Sequence, residues 1–489
     1  MTSGDDAPVA IKEPAPAASA VAADEDETSA TDLVLPLVAV GAAGAVAGYG
    51  YLRRVRRARE RTTPGGVGSP PPAKASPPLA ARDEQSCAAL VEADNRLRAA
   101  RTELGFAETL FGTEAVVGFR RAVHEGESEL AAAFRMRQRY DEGVPAEEAA
   151  RGHALAGIIG RCEEAGRRLD AVADAFGELR GLERGTDEAL GVSGALGIAE
   201  RRFRELTGRA GVAEAVLAGL RARYAPTATA SVTGNVEQAK DRLVFATVRL
   251  NQARQAADSG RPEGAARQLR AAEGAVDQAA VFVEGVDRLA TELRSAEQTI
   301  PAALTGAEAE LAWARAGGAA HGPAGTPPGE LHARLAHADA VLDSVRQELT
   351  GGQPYDPLGV LRRIVRATAP VASGRAGVLP AAALITARTA TAAAADFVAT
   401  HRGAVGATAR TRLAEAQRLL ATGDPTDRPP ADALALAARE LAELDVRTRG
   451  TPYPTATAGT GGAVLGGIVP PENPDTGTPA GFTTPAAPA

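Results

Sequence analysis

The sequence has few aromatic side chains. They make up 3% of its 489 residues, and runs of β-branched residues are short, which disfavours a β-sheet protein because sheets are enriched in both classes. Alanine, the strongest helix former, is abundant instead. This composition predicts an all-α fold. The length predicts more than one domain, because single cores rarely exceed ~250–300 residues.

Lysine and cysteine are also rare. Lysine occurs only at Lys12, Lys74 and Lys240, and the formal net charge is −7 at pH 7. Nucleic-acid-binding proteins normally carry a basic footprint, so nucleic acid is not an expected partner. The two cysteines, Cys87 and Cys162, lie in helix-like apolar patterns that are typical of small buried hydrophobic residues. A disulfide between them would need an oxidising compartment.

Motifs of catalysis and metal binding are missing from the sequence. It contains no H-E-x-x-H, C-x-x-C, G-x-S-x-G or P-loop sequence and no strand-borne glycine fingerprint. His332 and His337 are five residues apart, a spacing that does not place them on one helix face, and no cysteine is near them to complete a zinc site. The acidic run 24–27 lacks the spacing of a calcium loop. We therefore expect no enzyme, no catalytic residue, no metal site and no cofactor.

The segment Leu33–Leu52 contains twenty uncharged residues. As a helix it spans about 30 Å, the hydrocarbon thickness of a bilayer. A signal peptide would carry its positive charge before the apolar stretch, whereas here the charge follows it. By the positive-inside rule the N-terminus lies outside and the rest of the chain is cytoplasmic. The arginines that set this topology are Arg53, Arg54, Arg56, Arg57 and Arg59.

The segment Leu33–Leu52 and the arginines that follow it each indicate an interaction. Gly44 and Gly48 form a GxxxG motif that lets two membrane helices meet backbone to backbone, giving a homodimer. Glycine and alanine are so common in this chain that chance also explains the spacing. The arginines would hold anionic lipid headgroups at about 1 kcal/mol each, although fixing the topology is a sufficient role for them.

The remainder of the chain is patterned as amphipathic helices. Leu90, Leu97 and Leu104 recur at heptad spacing between charged residues. Glycine and proline mark short breaks, and one of these, Pro301, is predicted to separate two helices. Long helices with short connections are typical of antiparallel hairpins and three-helix bundles, of spectrin-like or coiled-coil type. The predicted regions are a disordered acidic extracytoplasmic segment (1–32), a transmembrane helix (33–52), an arginine cluster with a Pro/Gly linker (53–81), three helical regions (82–226, 227–353 and 354–449) and a disordered Gly/Pro/Thr-rich tail (450–489).

Several stretches resemble the C-terminal portion of TPM-domain membrane proteins from high-GC bacteria, over about residues 33–470. The most specific are QAKDRLVFAT at 238–247 and THRGAVG at 400–406. In that family a signal peptide and an extracytoplasmic TPM domain precede the membrane helix, and neither is found in this sequence. The phosphatase activity and calcium binding proposed for TPM domains therefore imply no site residue here. Either the family has a branch without the domain, or the true start codon lies upstream.

These observations predict a non-enzymatic, single-pass cell-membrane protein whose cytoplasmic helices act as a scaffold or tether. Its expected partners are membrane lipid and proteins that bind the helical faces. Two alternatives stay open. One is the cytoplasmic portion of a TPM-type phosphatase-family protein truncated at its N-terminus. The other is a spectrin-like, membrane-tethered regulator of cell division or envelope assembly.

Overall fold

A computed structural model of the chain describes residues 78–182, 191–316, 327–371 and 377–449. Every regular element in these ranges is helical and none is a strand, which confirms the predicted all-α fold for this part of the chain. The predicted span Leu33–Leu52, its glycines Gly44 and Gly48, the arginines that follow it and the two predicted disordered tails lie outside the described residues.

The helices of the described ranges are mostly long and joined by short connections. In chain order they are α1 (Leu79–Phe111), α2 (Val117–Asp141), α3 (Glu148–Arg180), α4 (Val192–Arg223), α5 (Asn235–Asp258), α6 (Pro262–Arg315), α7 (Pro328–Thr350), α8 (Pro357–Thr368), α9 (Val378–Thr400), α10 (Ala407–Thr422) and α11 (Arg428–Arg449).

Helices α1, α2 and α3 pack around one core, to which Ala407 of α10 also contributes. The heptad positions of α1 supply part of it, as their spacing predicts, and are at most 6% exposed. Two ion pairs, Glu129 with Arg161 at 2.7 Å and Glu125 with Arg168 at 3.0 Å, show that α2 and α3 run antiparallel. The buried heptad residues are Leu90, Leu97 and Leu104.

Helix α6 is 54 residues long and contributes to a second, larger core. The predicted break at Pro301 is wrong, because α6 continues through this residue. A proline inside a helix removes one backbone hydrogen bond and costs ~3 kcal/mol or more. Burial next to it offsets that cost: Ile300, Ala303 and Ala307 are at most 2% exposed.

Helices from several parts of the chain pack on α6. They are α4, α5, α8 and α9. The hydrogen bonds from Arg249 to Gln268 and from Arg242 to Gln278 show that α5 and α6 form an antiparallel pair. Residues on both sides of the predicted region borders at 226 and 353 contribute to this core.

Helix α9 is the one helix of the described ranges that is long and apolar enough to cross a membrane, with a mean hydropathy of 1.4 in its most apolar window. Half of that window is buried inside the protein, where α9 packs against α6 and α11. Core helices of soluble proteins pass the same test of length and composition, so the property does not by itself indicate a membrane span.

Helices α10 and α11 form the last hairpin of the described chain. Gly423 ends α10 in the left-handed region at φ 75°, where glycine carries no steric penalty. The Asp424 side chain then accepts a hydrogen bond from the Thr426 amide at 2.8 Å. This corner turns α11 back onto α9, while α10 packs against α1 and α2.

Candidate functional site

The contact between α10 and the α1–α2 pair joins distant parts of the chain, and Arg410 of α10 meets Asp94 of α1 from 316 positions away. At its centre lies a group of charged side chains that we call the junction network: Asp94, Arg98, Arg402 and Arg410. Arg402 lies in the short turn between α9 and α10, and Arg410 lies in the first turn of α10.

Arg410 has the most hydrogen bonds in the junction network, and its side chain is 1% exposed. Its guanidinium pairs with Asp94 and donates to the Asn95 side chain at 2.9 Å. It also donates to the backbone carbonyls of Val405, at 3.1 Å, and Arg402. One side chain therefore holds the turn before α10 in shape and ties it to α1.

The Asp94 carboxylate pairs with two guanidinium groups. Arg98, one helical turn further along α1, donates to both of its carboxylate oxygens at 3.1 Å, and Arg410 approaches from the other side. Burial by itself would raise the pKa of the Asp94 carboxyl, but the two guanidiniums outweigh burial and lower it. Asp94 is therefore ionised at neutral pH and acts as the shared anion of the network.

A second carboxylate, Asp277 of α6, lies close to Arg402. It accepts a hydrogen bond from the Thr102 hydroxyl at 3.0 Å. Burial raises its pKa, and the hydrogen bond and the Arg402 charge only partly counter that effect. Burial also lowers the pKa of Arg402 to about 10, and repulsion from Arg98 adds to the shift. The hydrogen bond from Thr102 thus joins α1 to α6 close to the turn before α10.

The two most specific stretches of sequence, QAKDRLVFAT and THRGAVG, come close together through Arg242 and His401. Arg242 is 1% exposed and donates from Nε to Gln278 at 2.8 Å. The His401 ring stacks on Phe397 with 4.2 Å between ring centroids. Burial lowers its pKa to about 4, and the nearby Arg242 charge acts in the same direction. His401 is thus uncharged at neutral pH and is a packed structural side chain.

A further buried cluster connects α3 to α1 and α6. Arg180 forms a bidentate pair with Glu273, at 2.6 and 3.1 Å, and both side chains are at most 3% exposed. Glu103 lies 4.0 Å from Arg180 and is equally buried. Neither of its carboxylate oxygens has a hydrogen-bond partner among the described residues. Burial raises the pKa of Glu103 in spite of the neighbouring arginines, Arg270 and Arg180.

A cleft of about 500 Å³ opens beside the junction network, between residues 94–101 of α1, 127–135 of α2 and 410–418 of α10. We call it the junction cleft. Apolar and charged side chains alternate along its lining. The charged ones are Arg98, Arg101, Arg135, Arg410 and Arg418 against Asp94, Glu127 and Glu415.

The described residues contain no group of three or more histidine, cysteine or carboxylate side chains suited to a metal ion. The residues predicted to anchor the chain and set its topology lie outside the described ranges.

Sequence reasoning missed the buried charges, because a carboxylate on an amphipathic helix is ordinarily the surface partner of an arginine one turn away. A signal was present in α1, where Asp94 interrupts the apolar stripe between Leu90 and Leu97. A charged residue inside such a stripe indicates a buried partner.

No protein-family model matches the chain, and no solved structure matches it. Two curated proteins are similar to it, UPF0603 protein MT2410 of Mycobacterium tuberculosis strain CDC 1551 / Oshkosh and UPF0603 protein Rv2345 of strain ATCC 25618 / H37Rv. Each is 32% identical over 419 residues, a match that covers 81% of this chain and 62% of the relative. The chain thus spans less than two thirds of the length of these relatives, and its similarity to them extends over most of its own length.

Proposed function

We propose that this protein is a non-enzymatic scaffold, anchored in the cell membrane by the segment Leu33–Leu52, with its helical region in the cytoplasm. The observation that carries the proposal is the junction network. Its buried charges pair α10 with α1 through Arg410 and Asp94, and beside them Asp277 of α6 accepts a hydrogen bond from Thr102 of α1, so these side chains hold helices at fixed positions. Buried ion pairs add little net stability over apolar packing, and in some proteins they fix one arrangement of the helices, which suits a tether.

The helices offer several surfaces to partners. The α2–α3 hairpin presents an outer face with ion pairs such as Glu125 with Arg168, and the anchor with its Pro/Gly linker at 53–81 would place it near the bilayer. Spectrin-like bundles also consist of long antiparallel helices joined by short connections, and we propose that the helical region belongs to this type. The expected partners are lipid headgroups at the arginines and other proteins along the helical faces.

Topology and anchoring can be tested together. Alkaline phosphatase fused after Ala489 should be inactive in intact cells, whereas a green fluorescent protein at the same position should fluoresce. Deletion of residues 33–52 should move the protein from the membrane fraction to the soluble fraction. Active phosphatase, or a deletion variant that stays in the membrane fraction, would contradict the proposal.

A second candidate is the cytoplasmic portion of a TPM-type phosphatase-family protein. The observation in its favour is that the matched region covers 62% of the two mycobacterial relatives, so those proteins contain further sequence. This candidate predicts that the genomic DNA upstream encodes, in frame, a signal peptide and an α/β domain. A stop codon in frame close to Met1 would exclude it.

A further inference from the structure

The described helices form one compact unit, but their two largest apolar cores are separate. Helices α1–α3 surround the first core, and helices α4–α9 build the second. We call these parts the α1–α3 body and the α4–α11 body. The apolar residues that join them are few. Phe106, Leu110 and Leu182 pack from the first body on the second core, and Ala407 and Ala414 of α10 pack on the first core.

Polar and charged side chains tie the two bodies together along the same boundary. Asp94 of α1 pairs with Arg410 of α10. Further along the boundary, Arg180 at the end of α3 pairs with Glu273 of α6 at 2.6 Å. Contacts between domains of one chain that are small and polar resemble transient protein–protein interfaces, and the domains they join are expected to move relative to each other.

Some charged groups at this boundary lack partners. The two oxygens of Glu103 are the only buried carboxylate oxygens of the described residues that have no hydrogen bond. The buried Nε of Arg402, in the turn that faces Arg98 of α1, also has none. A buried polar group without a partner is destabilising, and contact with water removes the penalty. Separation of the two bodies would hydrate both groups and thereby lower the cost of opening.

We propose that the α1–α3 body is a movable arm, which separates reversibly from the α4–α11 body while both cores stay folded. The charge pairs across the boundary fix which closed arrangement forms, but such pairs add little net stability. The unpartnered Glu103 and Arg402 favour the open arrangement. The chain passes between the bodies once, between Arg180 and Val192, so no second connection restricts the movement. The inference goes beyond the scaffold function and does not depend on the proposed anchor.

The position of Glu103 gives the closed arrangement a pH dependence. Its carboxyl faces Arg180 of α3 and both Arg270 and Glu273 of α6. Burial raises its pKa in spite of these arginines, whereas in the open arrangement the hydrated carboxyl has a lower pKa. The closed arrangement is therefore most favoured at low pH and loses stability as the pH rises through the pKa. Burial also raises the pKa of Asp277, whose neighbours are Thr102, Arg402, Arg202 and Arg101.

The experiment measures the distance between the two bodies by pulsed electron paramagnetic resonance of the full chain in detergent. Spin labels on keto amino acids replace the exposed residues His124 of α2 and Gln255 of α5, so that both native cysteines stay in place. We expect a narrow distance from the closed arrangement and a broad, longer one from the open arrangement. The ratio of open to closed molecules should rise from about pH 5 to about pH 9, and Glu103→Gln should reduce that rise.

Charge variants test whether the boundary governs this ratio. Asp94→Asn removes the carboxylate that pairs with Arg410 and should raise the ratio of open to closed molecules about tenfold. Asp174→Asn is the matched control, because it is the same substitution at an exposed position of α3, and it should leave the ratio unchanged. Glu103→Gln should lower the ratio about threefold at about pH 8. Circular dichroism at 222 nm should be the same for all variants.

The proposal would be overturned if Asp94→Asn and Asp174→Asn gave identical distance distributions. It would also be overturned if the longer distance appeared only together with a loss of helicity, because the bodies would then unfold rather than separate. Should Asp94→Asn fail to fold, Glu103→Gln decides the question. A ratio equal to that of the wild type across the pH range would then refute the proposal.

Discussion

Two buried glutamates in one cluster are expected to respond in opposite ways to the same substitution. Glu273 and Glu103 lie on either side of Arg180 and are at most 4% exposed. Glu273 accepts two hydrogen bonds from Arg180, at 2.6 and 3.1 Å. Glu103 accepts none among the described residues. Replacement of each by glutamine keeps the shape of the side chain and removes the charge.

Glu273→Gln should destabilise the protein by about 3 kcal/mol. Breaking a buried pair costs about 3–5 kcal/mol because the remaining charge stays buried without compensation. The glutamine side-chain oxygen can still accept one of the two hydrogen bonds from Arg180, so we expect a cost at the lower end of this range. Arg180, which is 3% exposed, is the charge left behind. For a folded unit of this size, a loss of 3 kcal/mol lowers Tm by ~4 °C.

Glu103→Gln should be neutral or stabilising, within about 1 kcal/mol, because it removes a carboxylate whose desolvation no hydrogen bond offsets. The effect depends on pH. Burial raises the folded-state pKa of Glu103 above the unfolded value, so the wild-type residue is most favourable at low pH and becomes less so as the pH rises through the folded pKa. The advantage of Glu103→Gln is therefore larger at about pH 8 than at about pH 5.

The assay is thermal unfolding of the full chain in detergent, followed by circular dichroism at 222 nm (the helix band). Arg121→Gln serves as the control for a surface substitution and should leave Tm unchanged. If Glu103→Gln and Glu273→Gln lowered Tm equally, the two carboxylates would be equivalent, and the distinction drawn from their hydrogen bonds would be refuted.

Three further predictions concern single side chains. Arg410→Ala should cost about 3 kcal/mol in urea unfolding, since it leaves the buried Asp94 without one of its two cations; a loss below about 0.5 kcal/mol would contradict this. Burial lowers the pKa of His401 to about 4, so stability should be lost as the pH falls from about 6.5 towards 4, and His401→Gln should reduce that loss. Burial raises the pKa of Cys162 to about 12, so iodoacetamide should modify the half-buried Cys87 first in mass spectra, and faster labelling of Cys162 would contradict its burial.

Much of the local structure was predictable. The heptad residues of α1 are buried as expected, and proline and glycine mark most of the observed helix ends. Pro301 is the exception. A proline interrupts a helix by local geometry, but Ile300 and Ala303 are buried in the core of α6, and this packing keeps the helix continuous. The local signal did not contain that information because the neighbouring helices that provide the packing are distant in sequence.

The candidate site could not be predicted in the same way. The sequence shows that Asp94 stands in an apolar stripe, but not that Arg410 is its partner, because nothing local links residues more than 300 positions apart. The arginines and apolar residues of the junction cleft come from four helices, α1, α2, α9 and α10, so their shared surface exists only after the helices pack.

The sequence by itself determined the helical class of the protein, the amphipathic faces, and the prediction of an anchor at Leu33–Leu52. These properties depend on composition and on periods of a few residues, which the chain carries locally. Only the tertiary structure decided which charges are buried, that Arg242 lies near His401, and that a cationic cleft lies beside Asp94. Those outcomes depend on desolvation and on distances between remote segments, and both arise when the chain folds.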